Sequence, residues 1–323
     1  MKKITLITLT AILVTSLLLT GCQPFVKADN QIEGSGNLET RQYEFSDFTR
    51  VDIGNAFDYE IKYSEDYDIS ITADDNLFEY ILVTREGETL KIGLKPFTHL
   101  WGTTVKADIS MPWLYGLDAS GATKGTVTGF TSDKNFDLSV SGASRLTLAD
   151  ISTGDVSADI GGASRVDGEL NSGDASFDIS GASRVELEGS AGDTEIDASG
   201  ASQIELVQFT VKDADISLSG SSDIRGSLEA LNIRIDASGA SGADLEGPAK
   251  DIIITASGAS RLGMGSVPAR NASISLSGAS RAEVNLTGRL DVDLSGGSDL
   301  EYTGEPTLGN IEVSGGASVE RKS

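Results

Sequence analysis

The sequence predicts an all-β fold: a parallel β-helix, or β-solenoid, of coils about 19–20 residues long behind an aromatic-rich N-terminal β cap. Three observations predict it. A Ser-Gly-Ala-Ser-like tetrad returns eleven times, centred on Gly121, Gly142, Gly162, Gly181, Gly200, Gly220, Gly239, Gly258, Gly278, Gly296 and Gly315, in steps of 18 to 21 residues. A unit that short cannot bury its own apolar face and must stack on copies of itself. Around each glycine the apolar residues fall four and two positions before it and four and six after it, the pattern of strand, corner, strand. Fourteen of the 19 aromatic residues lie between Phe25 and Tyr115, so the chain ahead of the repeat is built differently.

The first element, residues 1–22, reads as an export leader. Lys2 and Lys3 precede an uncharged apolar run from Ile4 to Leu19 that is short for a membrane span. The run ends in Leu19-Thr20-Gly21-Cys22, which resembles the lipobox of bacterial lipoproteins and makes Cys22, the one cysteine of the chain, the expected site of acylation. Loss of the leader takes the formal charge from −24 to −26. A balance that acidic opposes nucleic acid and anionic headgroups as partners, which leaves acyl chains on Cys22 as the expected membrane attachment. Residues 23–36 are polar and aperiodic and read as a flexible tether.

Residues 37–117 alternate in short bursts, as in Asp58-Tyr59-Glu60-Ile61-Lys62-Tyr63 and Asp68-Ile69-Ser70-Ile71-Thr72, with a turn at Glu86-Gly87-Glu88 and another at Asp74-Asp75-Asn76. These are half-buried strands, and the segment reads as a cap with the first coils, covering the otherwise unpaired backbone at the start of the array. A helical turn running into a strand is expected over Leu77 to Thr84.

Residues 118–323 are the repeat itself. Phe177-Asp178-Ile179-Ser180-Gly181-Ala182-Ser183-Arg184-Val185-Glu186-Leu187 is the type unit, whose inward columns include Phe177, Ile196 and Ile216 and, two residues on, Ile179, Ala198 and Leu218. Glycine suits the corner because it accepts positive φ and close approach of the next coil. A second glycine in several units, as at Gly168, Gly226 and Gly288, suggests a third side to the coil. At about 4.8 Å per coil, the eleven coils make a rod on the order of 50 Å long.

Polar columns accompany the glycines: a serine before it, an acidic column containing Asp159, Asp178 and Asp197 three residues before it, and a basic column containing Arg145, Arg165 and Arg184 three residues after it. The plain reading is that serines bridge coils while Asp and Arg solvate the surface, with Arg165 and Arg184 as counter-ions to the aspartates. The functional reading is a periodic binding face for a glycan or an envelope protein. No catalytic residue, cofactor site or metal site is expected. His99, the one histidine, sits among Phe97, Leu100 and Trp101 without ligand spacing or a nucleophile motif and reads as a packed cap residue. The glycines match neither a calcium repeat nor a phosphate loop. Polysaccharide-active β-helix enzymes use carboxylates on a few coils. That alternative predicts carboxylates converging in a cleft rather than running as a ladder.

The string from Phe48 through Thr49-Arg50-Val51-Asp52-Ile53-Gly54-Asn55-Ala56-Phe57-Asp58-Tyr59-Glu60 to Ile61, then Leu90-Lys91-Ile92, then the serial Ser-Gly-Ala-Ser coils, resembles the bacterial auto-transporter adhesin family with a head GIN domain. The resemblance runs from about Val51 onward and implies a right-handed parallel β-helix, export to the cell envelope, and no catalytic residues. Together these readings give a lipid-anchored, non-catalytic envelope protein that presents a rigid acidic surface for adhesion or scaffolding. Gln23 after Cys22, in place of the aspartate associated with inner-membrane retention, favours the outer membrane or cell surface.

Overall fold

A computed structural model describes residues 31–322. The leader and Cys22 fall outside them. Within them the ordered backbone is strand, joined by turns and one single-turn 3-10 segment, Asp75–Leu77. The helical turn ends at Leu77, where the sequence predicts its start, and strand Ile81–Glu86 follows as expected.

Strands ahead of each corner stack into a first sheet and strands after it into a second. Along the first sheet the axial order is Ile81–Glu86, Thr89–Leu94, Arg50–Ile53, Gly116–Ala119, Phe136–Val140, and so on to Thr307–Val313. Along the second it is Leu38–Gln42, Asp68–Asp74, Val105–Met111, Asp58–Tyr63, Lys124–Thr128, and so on to Ser318–Arg321. The coil-to-coil pairs are parallel. Among the described residues antiparallel pairs occur only at the N-terminal end: Ile81–Glu86 with Thr89–Leu94 through a hairpin at Gly87, and Asp68–Asp74 with both Leu38–Gln42 and Val105–Met111. The cap therefore ends the parallel stack with antiparallel strands, and the chain doubles back once, because the coil formed by residues 89–111 lies outside the one formed by 50–63.

Each later coil has three sides. The second-sheet strands bend midway, where the register shifts between Leu148 and Ile151 and between Leu206 and Phe209. A short third ladder follows, Ile151↔Leu170 and Ser152↔Asn171. Gly168 and Gly226 stand at this bend with φ 157° and 117°.

All eleven tetrad glycines adopt positive φ, between 70° and 87°. Gly181 shows why. Its φ is 75°, and a Cβ there would fall on the carbonyl oxygen of Gly162 one coil back. That oxygen accepts the N–H of Ala182 at 2.8 Å. Conformation and space both exclude a side chain, and the stacked corners carry a hydrogen-bonded backbone ladder from coil to coil.

Both predicted inward columns are buried, with Phe177, Ile179, Ile216 and Ile235 each at most 3% exposed. They form one continuous core with the aromatic cap residues Phe48 and Phe57. The columns end at Ile311 and Val313, which are 38% and 45% exposed because no further strand among the described residues stacks on them.

The tetrad's second serine is its buried one. Ser144, Ser183, Ser202, Ser222, Ser241, Ser260, Ser280 and Ser298 are at most 2% exposed. Each donates to the carbonyl of the serine three residues earlier, at 2.6–2.9 Å. The serine ahead of the glycine, expected to bridge coils, does so only at long range, as in Ser219 Oγ to the Ala198 carbonyl at 3.5 Å. A buried hydroxyl requires a partner, and the carbonyl left free where the chain turns supplies one.

Candidate binding faces

The outward residues of the two sheets form two faces of different electrostatic character. On the first, Asp159, Asp178 and Asp197 stand in direct register and are exposed. Beside them runs a turn column whose carboxylates hold the next coil: Asp155 accepts the N–H of Asp174 at 3.0 Å, and Asp174 that of Asp193 at 2.9 Å. Lys212 reaches Asp193 at 2.9 Å. This column supports backbone as well as surface charge.

On the second face Arg145, Arg165 and Arg184 are also in register. Arg165 and Arg184 do not act as counter-ions to the aspartate column, because the corner places the two ladders on different sheets. Arg165 instead binds Asp167 at 2.7 Å and Glu186 at 3.3 Å. Arg184 binds Glu205 at 2.9 Å, and Arg225 approaches the same carboxylate at 3.1 Å. The hydrogen bond from Arg225, aided by the charge of Arg184, holds the Glu205 carboxyl below its ordinary pKa. Arg165 and Arg184 each reach diagonally to an acid one coil on, and Arg225 reaches its register partner one coil back, so these pairs stitch neighbouring coils. Such exposed pairs contribute little stability each, because water and salt screen them.

This stitching stops two coils later. The arginine position is taken by Asp223, then by Gly242, before Arg261 resumes it. The acidic position falls to Gly263 beside Arg261. Two consecutive losses of a long side chain leave a groove of about 380 Å³, floored by Gly242, Ala243 and Gly263 and bordered by Arg225, Asp244 and Arg261. Arg261 forms no ion pair among the described residues. The groove offers guanidinium donors and carboxylate acceptors over a flat backbone floor, the group types that bind hydroxyl-rich ligands.

The carboxylates run as ladders and diagonal pairs, and no three acidic, histidine or cysteine side chains come together as a metal-binding group among the described residues. His99 is exposed on the outer side of a two-stranded ribbon, not packed into the cap. Its neighbour Leu100 takes the inner position instead.

A protein-family model described as "Putative auto-transporter adhesin, head GIN domain" matches residues 47–227 and again 213–306, which is most of the chain. The chain belongs to this adhesin family. Three solved structures are similar to this family member. One is a "putative lipid binding protein" from Parabacteroides distasonis, 20% identical over 91% of this chain and 100% of that one, with a TM-score of 0.36. Another is a "putative adhesin" from Parabacteroides merdae, 18% identical over 91% and 100%, with a TM-score of 0.40. The third is a "putative adhesin" from Parabacteroides distasonis, 19% identical over 90% and 100%, with a TM-score of 0.39. No protein with a curated description matches. The family supports an adhesion-type role at the cell surface or envelope.

The groove was not among the residues singled out from sequence. Its signal is nevertheless there: Gly242 and Gly263 interrupt columns that otherwise hold long charged or polar side chains in most coils.

Proposed function

We propose that this protein is a lipid-anchored envelope adhesin that binds a hydroxyl-rich glycan segment in the second-face groove. Acylated Cys22 holds it at the outer membrane or cell surface. The solenoid fixes the groove several coils away from the anchored end. The observation that carries the reading is the paired interruption at Gly242 and Gly263, which opens backbone to a ligand between charged side chains of the second face. Arg261 and Arg225 donate to sugar oxygens there, and Asp223 and Asp244 accept from hydroxyls. The predicted candidates Arg145 and Arg165 lie on the same face but outside the groove, and Arg184 borders it. The aspartate column of Asp159, Asp178 and Asp197 solvates the opposite sheet.

The test fills the groove. Gly242→Arg restores the ladder at a position of unstrained φ, where the atom in the way is the flexible carboxylate of Asp223. In a binding screen of envelope polysaccharides against the whole protein, saturable binding that Gly242→Arg or Arg261→Ala abolishes, without loss of fold, supports the proposal. Binding indifferent to both substitutions, or release of sugar products, overturns it.

A further inference from the structure

The chain enters the fold beside an exposed aromatic loop. Strand Gln31–Glu33 pairs parallel with His99–Trp101, in the register Gln31↔His99 and Glu33↔Trp101. The residues that follow are then fixed by the turn at Asp74. Asn76 donates to the Glu33 carbonyl at 2.9 Å, and Asp74 accepts the N–H of Gly36 at 2.8 Å and that of Thr104 at 3.0 Å. One buried carboxylate thus pins both the incoming chain and the end of the 95–104 loop. At the tip Phe97 is 94% exposed and Trp101 is 59% exposed. Phe97 also has φ 64°, a left-handed conformation uncommon for a bulky residue. Ile32 and Leu100 take the core side of the ribbon.

From these observations we infer that the 95–104 loop is a second membrane contact, its Phe97 and Trp101 seated in the interface of a phospholipid bilayer. The inference rests on the lipid-anchored reading above. Only nine residue steps separate Cys22 from Gln31, a reach of roughly 30 Å at full extension, so an acylated Cys22 keeps this end of the rod at the bilayer. Aromatic side chains favour the headgroup region, where their apolar bodies leave water without entering the hydrocarbon core. The acidic body gains nothing from lying flat on an anionic surface, so contact confined to the cap stands the rod away from the membrane and leaves the groove free.

Two tryptophans make the test direct. Trp113 lies on a different turn, after strand Val105–Met111. The mature chain, attached through an N-terminal polyhistidine tag to phosphatidylcholine vesicles containing nickel-chelating lipid, reaches the bilayer whether or not Cys22 is acylated in the cell. With brominated acyl chains in the vesicles, Trp113→Phe leaves Trp101 as reporter, and its emission should shift to the blue and be quenched. Trp101→Phe leaves Trp113, which should stay unquenched. Phe97→Asn, a residue that tolerates positive φ, should lower the quenching of Trp101 with the fold retained. Equal quenching of both tryptophans, indifference of Trp101 to Phe97→Asn, or a Trp101 response to soluble glycans without one to lipid overturns the inference. Mass spectrometry of Cys22 from cells tests the anchor separately, since an unacylated cysteine removes that reading and leaves the vesicle result standing.

Discussion

Asp74 and Thr104 stand 30 residues apart in sequence, and the Asp74 carboxylate accepts the Thr104 N–H at 3.0 Å while it also holds Gly36. The aspartate is 3% exposed, so its charge is compensated by these backbone donors rather than by water. Asparagine can replace only one of the two acceptor oxygens. Asp74→Asn should cost about 2 kcal/mol in urea unfolding, and it should speed amide exchange at Gly36 or Thr104 while residues of the distant coils keep their protection.

Substitution of a corner glycine combines two penalties. Gly181→Ala forces an L-residue to φ 75° and sets a methyl group on the Gly162 carbonyl. The coil spacing cannot widen locally without breaking the Ala182 hydrogen bond to that same oxygen. A loss of at least roughly 2 kcal/mol is expected. Because each coil contacts only its neighbours, the loss should appear as a separate early transition in thermal unfolding followed at several sites. Ala182→Ser, on the exposed side of the same corner, should leave the melting profile unchanged.

Two buried serines of the same column should respond differently to the same change. Ser202 Oγ donates to the Ser199 carbonyl at 2.6 Å. Ser164 is equally buried, but its hydroxyl has no partner, in the one tetrad where Gly161 replaces the leading serine. Ser202→Ala should cost about 1 kcal/mol or more, whereas Ser164→Ala should be neutral or stabilising because it removes an unsatisfied buried group. Equilibrium unfolding of the two variants side by side checks the pair.

The repeat was legible because its physics is one-dimensional. A glycine every 18 to 21 residues, flanked by alternating apolar positions, admits few folds. The columns of Phe177, Ile179 and Arg184 could therefore be assigned to faces by counting. What counting did not reveal was how those faces meet. Arg184 and Asp178 are six residues apart, yet the corner between them sends one to each sheet, so proximity in sequence suggested a pairing that topology forbids. The groove depended on Gly242 and Gly263 lying on adjacent coils of one face, offset by two residues along the strands, a relationship visible only once the register is known. The cap was harder still. Its order of strands inverts the chain order, and the contact between Gln31–Glu33 and His99–Trp101 joins segments with no shared pattern.

Asp291 binds Arg289 through two hydrogen bonds of 2.6 Å and accepts the N–H of Asn310 at 2.8 Å. The guanidinium first, and the backbone donor after it, hold the carboxyl down to a pKa of about 2. A carboxyl depressed by folding stabilises the native coil above its unfolded pKa of about 3.9, and that contribution is lost as pH falls through the native value. Stability from this site should therefore be constant down to about pH 4 and decline towards pH 2. The carboxyl carbon of Asp291, followed by NMR, should show a midpoint near 2. In Arg289→Ala that midpoint should rise towards the ordinary range but stop short of it, since the Asn310 N–H remains. A midpoint unmoved by the substitution would mean that the backbone donor alone sets the proton affinity of this coil edge.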